Sequence, residues 1–220
     1  LGASTTGCNN VAIGSAALGQ SDTTGYNNIA IGLTAMDALT TGRNNVALGT
    51  NALGASTTGC INIAIGNTAL GGADTTGINN IALGTNAMDA LTTGIGNVAM
   101  GIDALGASTT GCYNIAMGRC ALSAAVTGNH NYVIGYNAAD ALTTGVCNIA
   151  IGHSALGAST TGCYNIGIGG QPLGTADTTG AYNIAIGGQG AADALTTGQD
   201  NIAIGTNAYG AATTGCFNIA

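Results

Sequence analysis

A Thr-Thr-Gly motif recurs along the whole chain with a period of roughly 17–18 residues, and this repetition dictates a repeat fold. The variant Val126-Thr127-Gly128 fills the one gap in the series. Each motif is followed by Asn-Ile-Ala-Ile-Gly or a close relative, then by two variable residues, and usually by Ala-Leu or Ala-Met. We therefore treat residues 1–220 as a single continuous array of about 12–13 coils.

The Asn-Ile-Ala-Ile-Gly segment predicts a short β-strand because its residue types alternate with a period of two. The large aliphatic residues share one face of the strand, and the Asn, Ala and Gly residues share the other. The glycines fit the corners of a coil, since they reach backbone angles closed to other residues. We expect an all-β chain that forms a parallel β-solenoid or β-roll of 17–18-residue coils, with no α-helix of more than two turns.

We expect the large aliphatic residues to fill the coil, among them Ile13, Leu48, Ile65, Leu83, Ile151 and Ile204. We expect the residues after the strand glycine to be exposed, as at Thr50, Asn67 and His153. The alanines then form a smooth outer face for lateral association, because one coil buries too little apolar area to offset its ordering entropy. The alternative is a lone solenoid with an alanine-lined outer face. These alanines include Ala47, Ala64, Ala82, Ala99 and Ala116.

An asparagine stands at the head of every strand, and stacked asparagines can satisfy amide and backbone groups from coil to coil. The alternative is that Asn only tolerates the turn geometry. The predicted structural ladder consists of Asn10, Asn28, Asn45, Asn62, Asn80, Asn97, Asn114, Asn131, Asn148, Asn165, Asn183, Asn201 and Asn218.

A second period of about 52 residues overlies the first. Leu-Gly-Ala-Ser-Thr-Thr-Gly-Cys occurs at residues 1–8, 53–60, 105–112 and 156–163. The residue before Thr-Thr cycles through Ser4, Asp22 and Leu39, so every third coil is alike. This pattern indicates either duplication of a three-coil unit or an environment that repeats every three coils.

The composition excludes several function classes. Charged residues make up 5% of the chain, with no Glu or Lys, so the groups needed for an active site are scarce. The net charge of −7 argues against a nucleic-acid partner, which needs clustered Lys and Arg. The apolar runs are too short to insert in a membrane. We expect no enzyme activity, no cofactor and no metal, and His130 and His153 have no partnered nucleophile.

The cysteines and aspartates are interpreted as structural residues. Five cysteines recur every third coil, too far apart to pair with one another along one chain. We interpret the cysteines as small buried thiols, with disulfides between chains as the alternative. Aspartates on neighbouring coils, Asp22 with Asp37 and Asp74 with Asp89, are interpreted as solvated corner residues, with a bound cation as the alternative. The seven cysteines are Cys8, Cys60, Cys112, Cys120, Cys147, Cys163 and Cys216.

Units such as residues 41–53, Thr-Gly-Arg-Asn-Asn-Val-Ala-Leu-Gly-Thr-Asn-Ala-Leu, resemble the repeats of bacteriophage tail-fibre proteins, including those of cyanophages. They are also similar to the head repeats of trimeric autotransporter adhesins, whose Asn-x-Val-Ala-Ile-Gly core forms a left-handed parallel β-roll. The resemblance implies a left-handed homotrimeric fibre. The longer period and the Thr-Thr-Gly corner depart from the adhesin pattern. The chain begins and ends within a motif, so we expect a fragment of a longer fibre.

The leading hypothesis is an extracellular shaft segment of a viral tail fibre or cell-surface adhesin, holding a receptor-binding tip away from the particle or cell. We expect the tip to lie outside these residues. The alternative is an ice-binding β-solenoid that presents a Thr ladder, although adjacent threonines point to opposite faces and leave one outward per coil. A hexapeptide-repeat acyltransferase needs a catalytic His and a six-residue apolar period, and the sequence has neither.

Overall fold

A computed structural model describes residues 6–20 and 22–220, which fall into two compact units, Leu1–Gly111 and Cys112–Ala220. Within the described residues, the regular elements are three-residue strands, and no helix is present. That part of the chain accordingly contains no helix able to cross a membrane. Matching residues of successive repeats pair in parallel, which confirms the predicted parallel β-solenoid.

The first unit contains six parallel strands, each paired with its neighbours in sequence. The repeat register is kept, so that Ala30 pairs with Ala47 and Ala47 with Ala64. The strands are β1 (Val11–Ile13), β2 (Ile29–Ile31), β3 (Val46–Leu48), β4 (Ile63–Ile65), β5 (Ile81–Leu83) and β6 (Val98–Met100).

The second unit repeats this arrangement with six further strands. Here Ala116 pairs with Val133 and Val133 with Ala150. The strands are β7 (Ile115–Met117), β8 (Tyr132–Ile134), β9 (Ile149–Ile151), β10 (Ile166–Ile168), β11 (Ile184–Ile186) and β12 (Ile202–Ile204).

Each coil closes through turns whose residues have left-handed backbone angles. In the coil of β3, Asn44, Asn51 and Leu53 have φ of 58°, 56° and 51°. The turns also carry backbone hydrogen bonds between coils: the Leu53 amide donates to the Ala69 carbonyl at 3.0 Å. The coils are therefore held in register at their turns as well as at their strands.

The glycine that ends each strand is required by its geometry. Gly84 has a φ of 139°, and a Cβ there would lie 2.5 Å from the carbonyl oxygen of Gly101 on the next coil. Both the backbone angle and the close approach of adjacent coils exclude a side chain at this position.

The strand residues that form the core are the alanines, and not the large aliphatic residues of the strand. Ala47, Ala64, Ala82, Ala99 and Ala116 are completely buried. Our prediction that they form an outer face is wrong. The core also contains the Ala-Leu or Ala-Met pair of the turn, as at Ala52 and Leu53. A coil built from so short a repeat encloses a narrow interior, in which one strand alanine fits against one turn leucine.

Substitutions in two coils show how tightly this interior is filled. In the coil of β8, Val133 replaces the strand alanine, and Ala139 replaces the turn leucine, so the larger residue has changed sides. In the coil of β10, Gly167 replaces the strand alanine where Pro172 enters the turn. A Cβ at Gly167 would lie 3.4 Å from Pro172 Cγ. Volume is thus exchanged between strand and turn within one coil.

The interior of the Thr-Thr-Gly corner changes with the three-coil period. The buried residue there is Ser56, then Thr75, then Leu91 in successive coils. Ser56 Oγ donates to the Thr75 carbonyl at 2.7 Å, and Thr75 Oγ1 donates to the Leu91 carbonyl at 2.8 Å. The cycle Ser, Thr, Leu therefore corresponds to one repeating set of contacts between neighbouring coils.

Candidate functional site

The exposed face of the sheet is aliphatic. We define the outer face as the first and third residues of every strand. Our prediction that these residues are buried is wrong: Ile13 is 59% exposed and Ile204 is 62% exposed, while Leu48 and Leu83 are half-buried. Ile65 and Ile151 are likewise exposed. The residues predicted to be exposed after the strand glycine, Thr50, Asn67 and His153, are exposed.

Two further columns of side chains flank the outer face. We call the residues that immediately precede the ladder asparagines the leading column. In the first unit it is mainly amide: Asn9 Nδ2 donates to Asn27 Oδ1 at 3.3 Å, and Asn27 Nδ2 donates to Asn44 Oδ1 at 3.1 Å. Beside it lies an open groove of about 330 Å³, lined by Asn44, Val46, Ile61, Ile63, Asn79 and Ile81.

In the second unit the leading column is aromatic. The rings of Tyr113 and His130 stack with their centroids 5.3 Å apart, and those of Tyr164 and Tyr182 stack at 5.0 Å. Cys147 stands between these pairs in the column. The charge of Cys147, followed by its hydrogen bond, raises the pKa of the Tyr164 hydroxyl above its usual 10.0.

We call the residues immediately after the strand glycines the trailing column. In the second unit it begins with Arg119, Tyr136 and His153. The Arg119 guanidinium carbon lies 5.6 Å from the centroid of the Tyr136 ring. The rings of Tyr136 and His153 stack at 5.5 Å with their planes 22° apart. In the first unit the same column is Ser15, Leu33, Thr50, Asn67, Thr85 and Ile102, with neither a ring nor a cation.

Sequence analysis did not identify either aromatic column. The signal was available, because Arg119, Tyr136 and His153 are spaced by one repeat length each, which is one coil. Aligning the repeats on their corner glycines would have placed these residues in one column.

The asparagines at the strand heads form a hydrogen-bonded ladder within each unit, buried except at Asn10 and Asn218, which are half-buried. Asn45 is representative: its Nδ2 donates to Asn28 Oδ1 at 3.1 Å and to the Gly59 carbonyl at 2.7 Å. Its Oδ1 accepts the backbone N–H of Asn62 at 2.9 Å. Each amide thus links three coils. The ladder consists of Asn10, Asn28, Asn45, Asn62, Asn80 and Asn97 in the first unit, and Asn114, Asn131, Asn148, Asn165, Asn183, Asn201 and Asn218 in the second.

The interpretation of the cysteines as buried thiols is wrong. All seven are free; Cys8 and Cys216 are exposed, and the other five are half-buried. The thiol of Cys163 donates to the Thr161 carbonyl at 3.4 Å and accepts the Val146 N–H at 3.4 Å. Cysteines at the corner position therefore interact with the backbone.

The aspartates have two distinct environments. Asp74 is exposed and accepts hydrogen bonds from the Thr57 N–H and hydroxyl, at 2.8 and 2.9 Å. Asp89 is half-buried, and burial raises its pKa, while a hydrogen bond from the Gly72 backbone opposes the rise and the charge of Asp103 adds to it. One carboxylate oxygen of Asp89, and likewise of Asp37, is buried without a partner. Among the described residues, no group of three or more His, Cys, Asp or Glu could hold a metal ion.

One threonine per coil is exposed at the corner, as at Thr58, Thr76 and Thr93, although the Thr76 hydroxyl still donates to the Thr92 carbonyl at 3.3 Å. The neighbouring threonines are mostly bonded into the coil stack; the Thr92 hydroxyl, for example, donates to the Thr109 carbonyl at 2.9 Å. The corner therefore presents a single column of exposed threonines within each unit.

No family model, curated protein or solved structure matches this chain.

Proposed function

We propose that this chain is a shaft segment of an extracellular fibre, of the tail-fibre or adhesin kind, in which three parallel copies associate through their outer faces. The observation that supports this proposal is the exposed aliphatic face. Monomeric soluble proteins rarely leave a large continuous apolar surface in water, and such surfaces usually mark interaction sites.

The apolar area of one unit supplies an association energy of the same order as the cost of association. The first unit presents twelve outer-face residues, and Ile29, Ile31 and Ile65 among them are 36–39% exposed. When a partner copy covers the exposed part of one such side chain, the assembly is stabilised by roughly 0.5–1 kcal/mol. Twelve such side chains therefore supply roughly 6–12 kcal/mol of gross association energy. The cost of association is of the same order, about 4–15 kcal/mol.

The number and direction of the copies follow from the resemblance to trimeric fibre repeats, as does the left-handed coil. In such an assembly the aliphatic face turns towards the partner copies, and the Thr-Thr-Gly corners face water. This replaces the alanine interface expected from the sequence. The alanines are instead committed to the interior of each coil.

The spacer role is consistent with the side chains available. The chain offers nine acidic and two basic groups over 220 residues, and the buried polar groups serve mainly to bind one coil to the next. Short turns, bonded from coil to coil, leave few loops for a protease to enter. The shaft would hold a tip, carried elsewhere in the fibre, away from the particle or cell that bears it.

Light scattering and sedimentation of residues 1–220 test the assembly. We expect a trimer for the native sequence. The double variant Ile65→Glu, Leu83→Glu places two charges on the outer face, so we expect it to be a monomer whose β-sheet circular dichroism is unchanged. Thr58→Glu, at an exposed corner, is the matched control and should remain trimeric. A native chain that stays monomeric at high concentration would refute the association, and a stable dimer would refute the trimer.

The exposed threonine column supports a second candidate, an ice-binding surface. Its weakness is that the column is single, with most neighbouring hydroxyls bonded into the coils. A measurement of thermal hysteresis separates the two candidates: a shaft has none, whereas an ice-binding solenoid has hysteresis that Thr76→Tyr lowers.

A further inference from the structure

The first three residues of the trailing column in the second unit form a pre-organised strip, which we name the Arg119 strip: Arg119, Tyr136 and His153. All three are exposed. Backbone hydrogen bonds fix their spacing, since Asn137 N donates to the Arg119 carbonyl at 3.1 Å and Ser154 N donates to the Tyr136 carbonyl at 3.0 Å. The side chains therefore project from a rigid backbone, which lowers the entropy lost when a ligand binds.

Within the described residues, no ion pair neutralises the charge of Arg119. The chain has nine aspartates for its two arginines, yet in residues 6–20 and 22–220 the contact of the Arg119 guanidinium is the Tyr136 ring, without an ion pair. A guanidinium held over a ring keeps its N–H donors available at its edge. Those donors match the two oxygens of a carboxylate.

Coil packing does not explain why these residues stand here. The first unit builds the same coil with Ser15, Leu33 and Thr50 at the start of its trailing column. Tyr and Arg are the residue types that recognition surfaces favour.

The strip's geometry limits the ligand. Tyr136 has the Arg119 guanidinium on one side and the His153 ring on the other, so it presents its edge to solvent. Its hydroxyl and the imidazole nitrogens then offer hydrogen bonds to a polar ligand. The net charge of −7 and the single cation disfavour a polyanion such as nucleic acid. A fitting ligand has one anionic group on an uncharged body rich in hydroxyls.

We propose that the Arg119 strip binds a carboxylate-bearing sugar, with Arg119 on the carboxylate and the edges of Tyr136 and His153 on the sugar hydroxyls. The site lies within one chain, so this proposal does not depend on the shaft or on the trimer. It adds a glycan-binding surface along the side of the solenoid.

Binding of glucuronate, glucose and N-acetylglycine to the full chain tests the proposal by ligand-observed NMR and calorimetry. We expect weak binding of glucuronate and much weaker binding of glucose, which lacks the carboxylate. A hydrogen-bonded charge pair is worth about 1.5–3 kcal/mol, so Arg119→Ala should raise the Kd for glucuronate by roughly 10–100-fold.

Arg43→Ala is the matched control, because it removes the same charge from an exposed corner of the first unit, and it should change the Kd less than about twofold. Tyr136→Leu should also weaken glucuronate binding, since it removes both the support of the guanidinium and a hydroxyl. Circular dichroism checks that each variant keeps its sheet. Equal effects of the two arginine variants, or no binding of glucuronate, would overturn the site. Binding of N-acetylglycine as tight as that of glucuronate would overturn the sugar and indicate a peptide carboxylate.

Discussion

Removal of one rung of the asparagine ladder tests what holds the coils together. Asn80 Nδ2 donates to the Gly94 carbonyl at 2.8 Å, and Asn80 Oδ1 accepts the Asn97 backbone N–H at 3.0 Å. Asn80→Ala deprives both backbone groups of these bonds, while the backbone N–H at position 80 can still donate to Asn62 Oδ1, as it does in the native chain at 2.9 Å. A buried backbone group without its partner costs about 1–3 kcal/mol, so the two together predict a loss of about 2–6 kcal/mol.

Urea unfolding followed by circular dichroism measures this loss. Asn67→Ala is the control, because Asn67 is exposed and its side chain bonds to the adjacent Thr68, at 2.6 Å. We expect the control to change the free energy of unfolding by less than about 0.5 kcal/mol. If Asn80→Ala destabilised the protein no more than Asn67→Ala, the ladder would be a by-product of turn geometry and not a source of stability.

Three further changes test the corner, the core and the buried carboxylate. Gly84→Ala should prevent stable stacking, whereas Gly170→Ala, which meets nothing within 4 Å, should be tolerated; expression and thermal melting distinguish them. Overpacking by Ala64→Leu should cost about 1–3 kcal/mol in urea unfolding, and equal tolerance of Ala64→Leu and Ile65→Val would contradict the assigned core. Burial raises the folded-state pKa of Asp89 above 3.8, so the protonated carboxyl stabilises the folded state relative to the ionised one. This stabilisation is fully present below pH 3.8 and is lost as the pH rises through the raised pKa. Asp89→Asn should therefore stabilise the protein at pH 7 but not at pH 3, and a similar gain at both pH values would exclude ionisation as the cause.

The sequence was sufficient to predict the Arg119 strip but not the contacts within it. The one-repeat spacing of Arg119, Tyr136 and His153 places them in one column once the coil is known. Only the folded chain shows that the guanidinium lies over the tyrosine ring and not beside an aspartate. Whether Arg119 contacts the ring or an aspartate depends on where the corners place the aspartate side chains. The spacing of residues in the sequence does not give those positions.

The repeat itself determined the coil length, the short strand, the corner glycines and the stacking of matching residues, because each is a local property copied in every repeat. The period of two also determined that Ile63 and Ile65 share one face and Asn62 and Ala64 the other. The tertiary structure decided which face is inside. Hydrophobicity favours burying isoleucine, but a closed coil of so short a repeat is too narrow for large residues on both strand and turn. The turn supplies the leucine, the strand supplies the alanine, and the isoleucines are left on the outer face.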